Sequence, residues 1–421
     1  MTDVFLAEVA TVEDLALRME CPQDAEDGLD LSSCTRQFGA NLLSKAFRRD
    51  ATDQEIANIE ALVNEVDDLL VESDQDLAAF DSHILRLRTV VRYVLLSADF
   101  LLLVERGTAD AADGPRAPIP LTSAEIATRL SYFITGAPPD EALMVDVHEG
   151  RLSDPSVRLE HADRLLDSEA GRAQLTKTLN SWLGIDAATV DAEDAASLST
   201  FIDEWFAEEK PFEDLYKAPV SVVHVDETQT EEPFGVLGLR AFVASHSAFP
   251  TPSFITRGVF VVERLLCSQL PSDIPAEALD GEEMTPLEVF QEHAKEPCAT
   301  CHVVFDNYGA AFQRFDTETS RYDPEANELG DSFDLLDLGG VSGVVGGVAD
   351  LGRVMGQSER APACLAELWY RKAARRGLDA GGEDDEALDA LIKEWQGSGN
   401  TSMKSLMRSI VTAEDFTLLF P

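Results

Sequence analysis

The sequence predicts a mainly α-helical, multi-domain protein with at most one small β-hairpin. Three observations carry that expectation. Apolar residues recur at helical spacing over most of the 421 residues. Two stretches, Thr52 to Glu55 ("TDQE") and Thr122 to Glu125 ("TSAE"), read as capping boxes, in which a threonine and a glutamate satisfy the free N–H groups at a helix start. Only one segment, "APVSVVHVDE", alternates as a short strand does.

Taken in order, Ser33 to Leu70 reads as two helices separated by the basic turn "FRRDA", the second starting at the Thr52 box. His83 to Arg106 continues the helical period, with Gly107 as its C-cap. Its most apolar part, Val90 to Val104, contains Arg92 and Asp99 and is shorter than the ~20 residues a bilayer requires, so it reads as a buried helix and not as a membrane span. "TADAADGPRAPIP" is linker-like. Helices then run from the Thr122 box to about Asp186. Past the alternating segment a helix is expected over Ser253 to Cys267, followed by the proline-punctuated linker "SQLPSDIPAEALDGEEMTP" and a helix carrying two cysteines, with His293 on the same helix. An irregular glycine-rich region, Gly330 to Gly352, precedes a closing helical segment from Pro362 to Phe420. The corresponding modules are 1–115, 116–190, 191–345 and 346–421.

Charge narrows the function. With 33 basic against 78 acidic side chains the net charge is -45, which repels nucleic acid and anionic membrane surfaces. The acidic runs read as solvated helix faces and loops, and none has the spacing of a calcium-binding EF-hand. The chain has no P-loop, dinucleotide fingerprint, HExxH or serine-protease signature. Arg48, Arg49 and Arg129 read as helix-capping and interdomain ion-pair residues.

One stretch speaks of chemistry: "KEPCATCHVVFDNYGAAFQRFD", Lys295 to Asp316. Cys298 and Cys301 lie about one helical turn apart, which lets both sulfurs reach the two vinyl groups along one porphyrin edge. His302, the next residue, is then carried under the iron as axial ligand. One covalent haem c and a cytochrome c-like haem-binding region are therefore expected. Two other chemistries fit the same residues: half of a zinc site completed by His293, His302, Cys267 or Cys364, and a redox dithiol. The far side of the iron has three candidate ligands, Met355, His246 and His293, or stays open. Asp306 and Asp316 read as carboxylates closing turns.

Four further cysteines, Cys21, Cys34, Cys267 and Cys364, would be absorbed by two disulfides, which form in an oxidising compartment. Haem c is also attached outside the cytoplasm, so a periplasmic or secreted location is expected. "MTDVFLAEVATVEDL" has neither basic leader nor apolar core, and the export signal is expected to be trimmed or to lie upstream.

The order of these motifs resembles that of the secreted, cytochrome-like proteins of unknown function first noticed in planctomycetes and abundant in myxobacteria. Those are built from consecutive domains of unknown function. "CTRQFGANLLSKAFRRDATDQE" and "LLSADFLLLVERG" are similar to the family's first module. "LTSAEIATRLSYFITGAPPDEALMVDVHEGRLSDP" and "SWLGID" are similar to its second. The third resembles the haem-motif region in "GVLGLRAF" and in Arg257, Gly258, His293, Cys298, Cys301, His302, Asp306, Gly309, Phe315 and Asp316. It departs at Asn307, where proline is usual, and at Gln313, where glutamate is usual. "CLAELWYRKAARRGLD" to "SIVTAEDF" resembles the closing helices. The resemblance implies an upstream export signal and the disulfides Cys21–Cys34 and Cys267–Cys364. The expected function is electron transfer to a redox partner protein docked on the helical body. A haem oxidase or peroxidase with an open iron, and a non-haem structural or zinc protein, are the alternatives.

Overall fold

A computed structural model describes residues 31–72, 79–108, 118–186, 188–247, 253–270, 284–375 and 383–420. Helices α1 (Leu31–Phe47), α2 (Asp53–Glu72), α3 (Ala79–Leu95) and α4 (Ala98–Leu101) lead to strand β1 (Ile119–Pro120). Helices α5 (Ser123–Thr135), α6 (Glu141–His148), α7 (Pro155–Leu166), α8 (Glu169–Trp182), α9 (Ala192–Ala207) and α10 (Asp214–Lys217) precede the hairpin of β2 (Val220–Val223) and β3 (Gln229–Glu232). Next come α11 (Arg240–Ser245) and α12 (Ser253–Phe260), which continues as a π-helical stretch, Val261–Leu265. The motif region holds α13 (Pro286–His293), α14 (Ala299–His302), α15 (Asp306–Ala310), β4 (Phe333–Leu335) and β5 (Gly343–Val345). The chain closes with α16 (Val348–Gln357), α17 (Arg360–Ala374), α18 (Glu383–Gly397), α19 (Met403–Thr412) and β6 (Leu418–Leu419). The mainly helical expectation holds. Strands among the described residues form three small antiparallel pairs, β1–β6, β2–β3 and β4–β5, where one hairpin was expected. One of them, β4–β5, lies in the glycine-rich region expected to be irregular.

The chain folds as two compact units, one of residues 1–132, 138–153 and 417–421, the other of 133–137 and 154–416. In the first, α1, α2 and α3 bury Leu43, Phe47, Ile59, Val63, Val90 and Val94 against one another. Both capping boxes form: the Thr52 and Thr122 hydroxyls accept from the Glu55 and Glu125 amides, and each glutamate bonds back to its threonine amide. The helix expected to reach Arg106 ends instead at Leu95, and Val90 to Val104 is not one buried helix. Ser97 caps the short α4 by accepting from the Phe100 amide. Beyond it the chain is extended, and Arg48 supplies a donor for the Leu102 carbonyl at 3.0 Å. Leu96, Leu101 and Leu102 are exposed. Gly107, at φ +69°, closes no helix; its amide donates to Glu125 Oε1 at 3.1 Å. Arg129 pairs with Glu105 and donates to the Leu418 carbonyl, so its ion pair lies within this unit. Arg49 pairs with Glu55.

The second unit is built around indole side chains. Trp205, Trp369 and Trp395 are buried, and Trp205 and Trp395 spend their N–H groups on the carbonyls of Pro211 and Ser402. Helix α7 packs along α19, and the buried Arg158 donates to the Val411 carbonyl at 2.7 Å, where α19 has run out of amide partners. Cys267 and Cys364 form a disulfide with Cα atoms 5.4 Å apart, the pairing that the resemblance implies. Cys21 of the proposed Cys21–Cys34 pair lies outside the described residues, as do most of the two linker-like stretches, at 109–117 and 271–283. No described helix is long and apolar enough to cross a membrane.

Candidate functional site

The platform for the motif is a crossing of α12 and α15 at which two glycines remove the side chains. A Cβ on Gly309 would lie 1.6 Å from the Phe254 carbonyl oxygen, and one on Gly258 would lie 2.2 Å from that of Phe305. Arg257, buried beside Gly258, donates to the Phe312 and Phe315 carbonyls at 3.3 Å each and to the Ser247 hydroxyl at 2.6 Å. It thus gathers two backbone carbonyls just after α15, one of which also accepts from the Phe315 amide. The glycine-rich loop is pinned from the same helix. Asn307 donates to the Asp334 carbonyl, and the Tyr308 hydroxyl lies 2.7 Å from Leu336 O and 2.8 Å from Val341 O. Gln313 donates to Gly330 O and accepts from the Leu329 amide. An ionised glutamate only accepts and could not make the first bond, which gives the glutamine found here a physical reason. Asn307 likewise uses a donor that proline lacks.

On this platform Cys298, Cys301 and His302 occupy one turn, with the His302 amide donating to the Cys298 carbonyl at 3.1 Å. Both thiols are unpaired and half-buried. The expectation that His293 shares the cysteines' helix is corrected. His293 ends α13, a separate helix begun by a Thr285–Glu288 capping box and divided from α14 by the Glu296–Pro297 turn. The break brings His293 back over His302: the rings stack with centroids 3.5 Å apart and planes at 38°. Asp306 joins them. His293 Nδ1 lies 2.9 Å from its Oδ2, and His302 Nδ1 lies 3.2 Å from both carboxylate oxygens. His293 and Asp306 are buried, whereas the His302 side chain is 23% exposed. Burial holds His293 below the ordinary histidine value, against the pull of Asp306. The contact is a hydrogen bond from His293 Nδ1 to Asp306.

The arrangement fixes the His302 tautomer. A carboxylate only accepts, so Nδ1 carries the proton and the Nε2 lone pair is left for a metal. Free thiols on one turn beside an imidazole with a free Nε2 are the donor set that covalent haem c needs, and the residues fit it. Ligand atoms of His293, His302 and Asp306 also lie within 4.8 Å of one another, close enough to hold a single metal ion. Cys267 and Cys364, once candidate zinc ligands, are consumed by their disulfide.

The other candidates come from other elements. Met355 is fully buried on α16, which Gly352 presses onto α10: a Cβ there would meet the Tyr216 carbonyl at 2.1 Å. His246 is a core side chain. Its ring stacks on Phe260 at 3.8 Å, and its Nε2 lies 2.9 Å from the Leu183 carbonyl, which it meets as an N–H donor. Asp316 closes a turn as expected, accepting from the amides of Glu318 and Thr319. Burial pushes its carboxyl up, but those bonds and the Arg257 charge outweigh this and hold it below the usual range.

Burial lowers His246 from 6.5 to about 4. A folded value below the unfolded one means that the histidine's contribution is complete above about pH 6.5 and is lost as pH falls toward about 4. Denaturant unfolding at pH 7 and pH 4.5 is expected to show the wild type losing about 2 kcal/mol more than His246→Gln, which keeps a donor but does not titrate. Equal losses would refute it.

Two features escaped the sequence reading although the sequence carries them. "TPLE" at Thr285 to Glu288 is a capping box with proline at the first helical position, and Pro297 bars one helix from running through both His293 and Cys298. His302 and Asp306 are four residues apart and so share a face. Their meeting with His293 has no local signal.

Comparison with known families places this site in a matched segment. Residues 121–228 match PSD4, a protein of unknown function (DUF1592), and residues 234–322 match PSCyt3, a protein of unknown function (DUF1588). The second segment contains Arg257, Gly258, His293, the cysteine pair, His302 and Asp306. Two consecutive modules with cytochrome-like names fit the architecture that the motif order resembles. No curated protein and no solved structure matches the chain.

Proposed function

We propose that this chain is an extracytoplasmic, mono-haem c-type cytochrome-like protein that transfers electrons, with its helices serving as the docking scaffold for a redox partner protein. The observation that carries the reading is the turn Cys298–Cys301–His302: two unpaired thiols and an imidazole whose Nδ1 is already occupied by Asp306. Cys298 and Cys301 would anchor the haem and His302 would hold its iron, which supplies a one-electron couple when bound. The Cys267–Cys364 disulfide supports the same oxidising compartment. Met355 is the proposed distal thioether, which would raise the potential; an open iron would favour oxidase or peroxidase chemistry instead.

Maturation of the chain with a cytochrome c assembly system is expected to yield a pyridine haemochrome of covalent haem in the wild type and none in Cys298→Ser/Cys301→Ser. A wild type without covalent haem refutes the reading. Carbon monoxide then separates the two iron states, because ready binding to the reduced protein marks an open iron and resistance marks a carrier with both axial positions filled. The His293, His302 and Asp306 cluster favours one second reading, a divalent metal such as zinc held without haem. Stoichiometric metal in the protein lacking both thiols would support it.

A further inference from the structure

Outside the turn that would attach the haem, its axial histidine meets a buried carboxylate that has two competing donors. Asp306 accepts from His302 Nδ1 at 3.2 Å and from His293 Nδ1 at 2.9 Å, and the shorter bond goes to the histidine outside the cysteine turn. The two rings lie against each other, on the same side of the carboxylate and not across a gap. His293 is therefore poorly placed to be the distal ligand and well placed to share Asp306.

Resting on the haem reading, we infer that Asp306 and His293 are positioning residues that set the iron's reduction potential through His302, in opposite directions. A carboxylate on Nδ1 fixes ring orientation and tautomer and makes the imidazole a stronger electron donor, which favours ferric over ferrous iron. His293 draws on the same two oxygens and weakens the bond that His302 makes. Burial of Asp306 and His293 keeps water from substituting for either partner. The pair thus works as a graded control: Asp306 lowers the potential, and His293 moderates how far.

Spectroelectrochemical titration of the matured holoprotein tests this with two variants. Asp306→Asn removes the negative charge and is expected to shift the potential upward. His293→Phe keeps a stacking ring, removes the competing donor and is expected to shift it downward. Each shift should change the oxidised-to-reduced ratio at fixed applied potential at least tenfold, about 59 mV for a one-electron couple. A purely structural role for either residue predicts no such opposition of sign. Shifts below that size, or in the same direction, overturn the inference. If Asp306→Asn does not fold, the sign found for His293→Phe decides alone. The pyridine haemochrome is read on every sample: absence of covalent haem from the wild type overturns the haem reading and this inference with it, whereas haem in all samples with unmoved potentials overturns the inference only.

Discussion

Gly309→Ala is expected to destabilise the unit containing residues 154–416 by about 3 kcal/mol or more, the range of severe overpacking. The added Cβ would sit 1.6 Å from the Phe254 carbonyl oxygen, 2.6 Å from its carbon and 2.7 Å from the Gly258 amide nitrogen. All three are backbone atoms, so no side chain can rotate away, and α12 and α15 must separate. Separation would also move Asp306, one turn earlier on α15, away from His302. Gly397→Ala is the control, since nothing lies within 4 Å of a Cβ there and alanine favours a helix. Denaturant unfolding should show the first variant far less stable and the second unchanged or slightly more stable. A Gly309→Ala protein within about 1 kcal/mol of wild type would mean that the crossing is looser than described.

Removing the Cys267–Cys364 disulfide should be comparably costly. The bond spans 97 residues and encloses α13, the cysteine pair, α15 and the glycine-rich loop. In the chain-entropy account a closed loop of that size restricts the unfolded state by about 4.7 kcal/mol. Cys267→Ala/Cys364→Ala is therefore expected to lose about 4.7 kcal/mol in denaturant unfolding under oxidising conditions, and the wild type should lose a similar amount when reduced. Loss of less than about 1 kcal/mol would show that packing around Arg360, which donates to the Leu266 carbonyl at 2.6 Å, already holds this junction closed without the bond.

Several elements were legible because their causes are local. Thr52 with Glu55 and Thr122 with Glu125 specify helix starts within four residues, and the hairpin of β2 and β3 follows from alternation in one short segment. Val90 to Val104 misled for an equally physical reason. Apolar content matched a buried helix, but Ser97 offers a cap in mid-run, and Arg48, about fifty residues earlier, supplies donors for the extended carbonyls that follow. A side chain that distant leaves no trace in a periodicity.

The same division runs through the site. The mainly helical class and the haem-like spacing of Cys298, Cys301 and His302 could be read from the chain itself, because each depends on bonds or side-chain directions repeated within one turn. That His293 leaves the cysteines' helix to stack on His302 and share Asp306 depends on the packing of separate segments. So do the pairing of Cys267 with Cys364 and the place of His246 in the core. Those outcomes depend on how closely separate segments approach, and here the approach is set by bare backbone at Gly258 and Gly309, with Arg257 gathering the carbonyls beyond it.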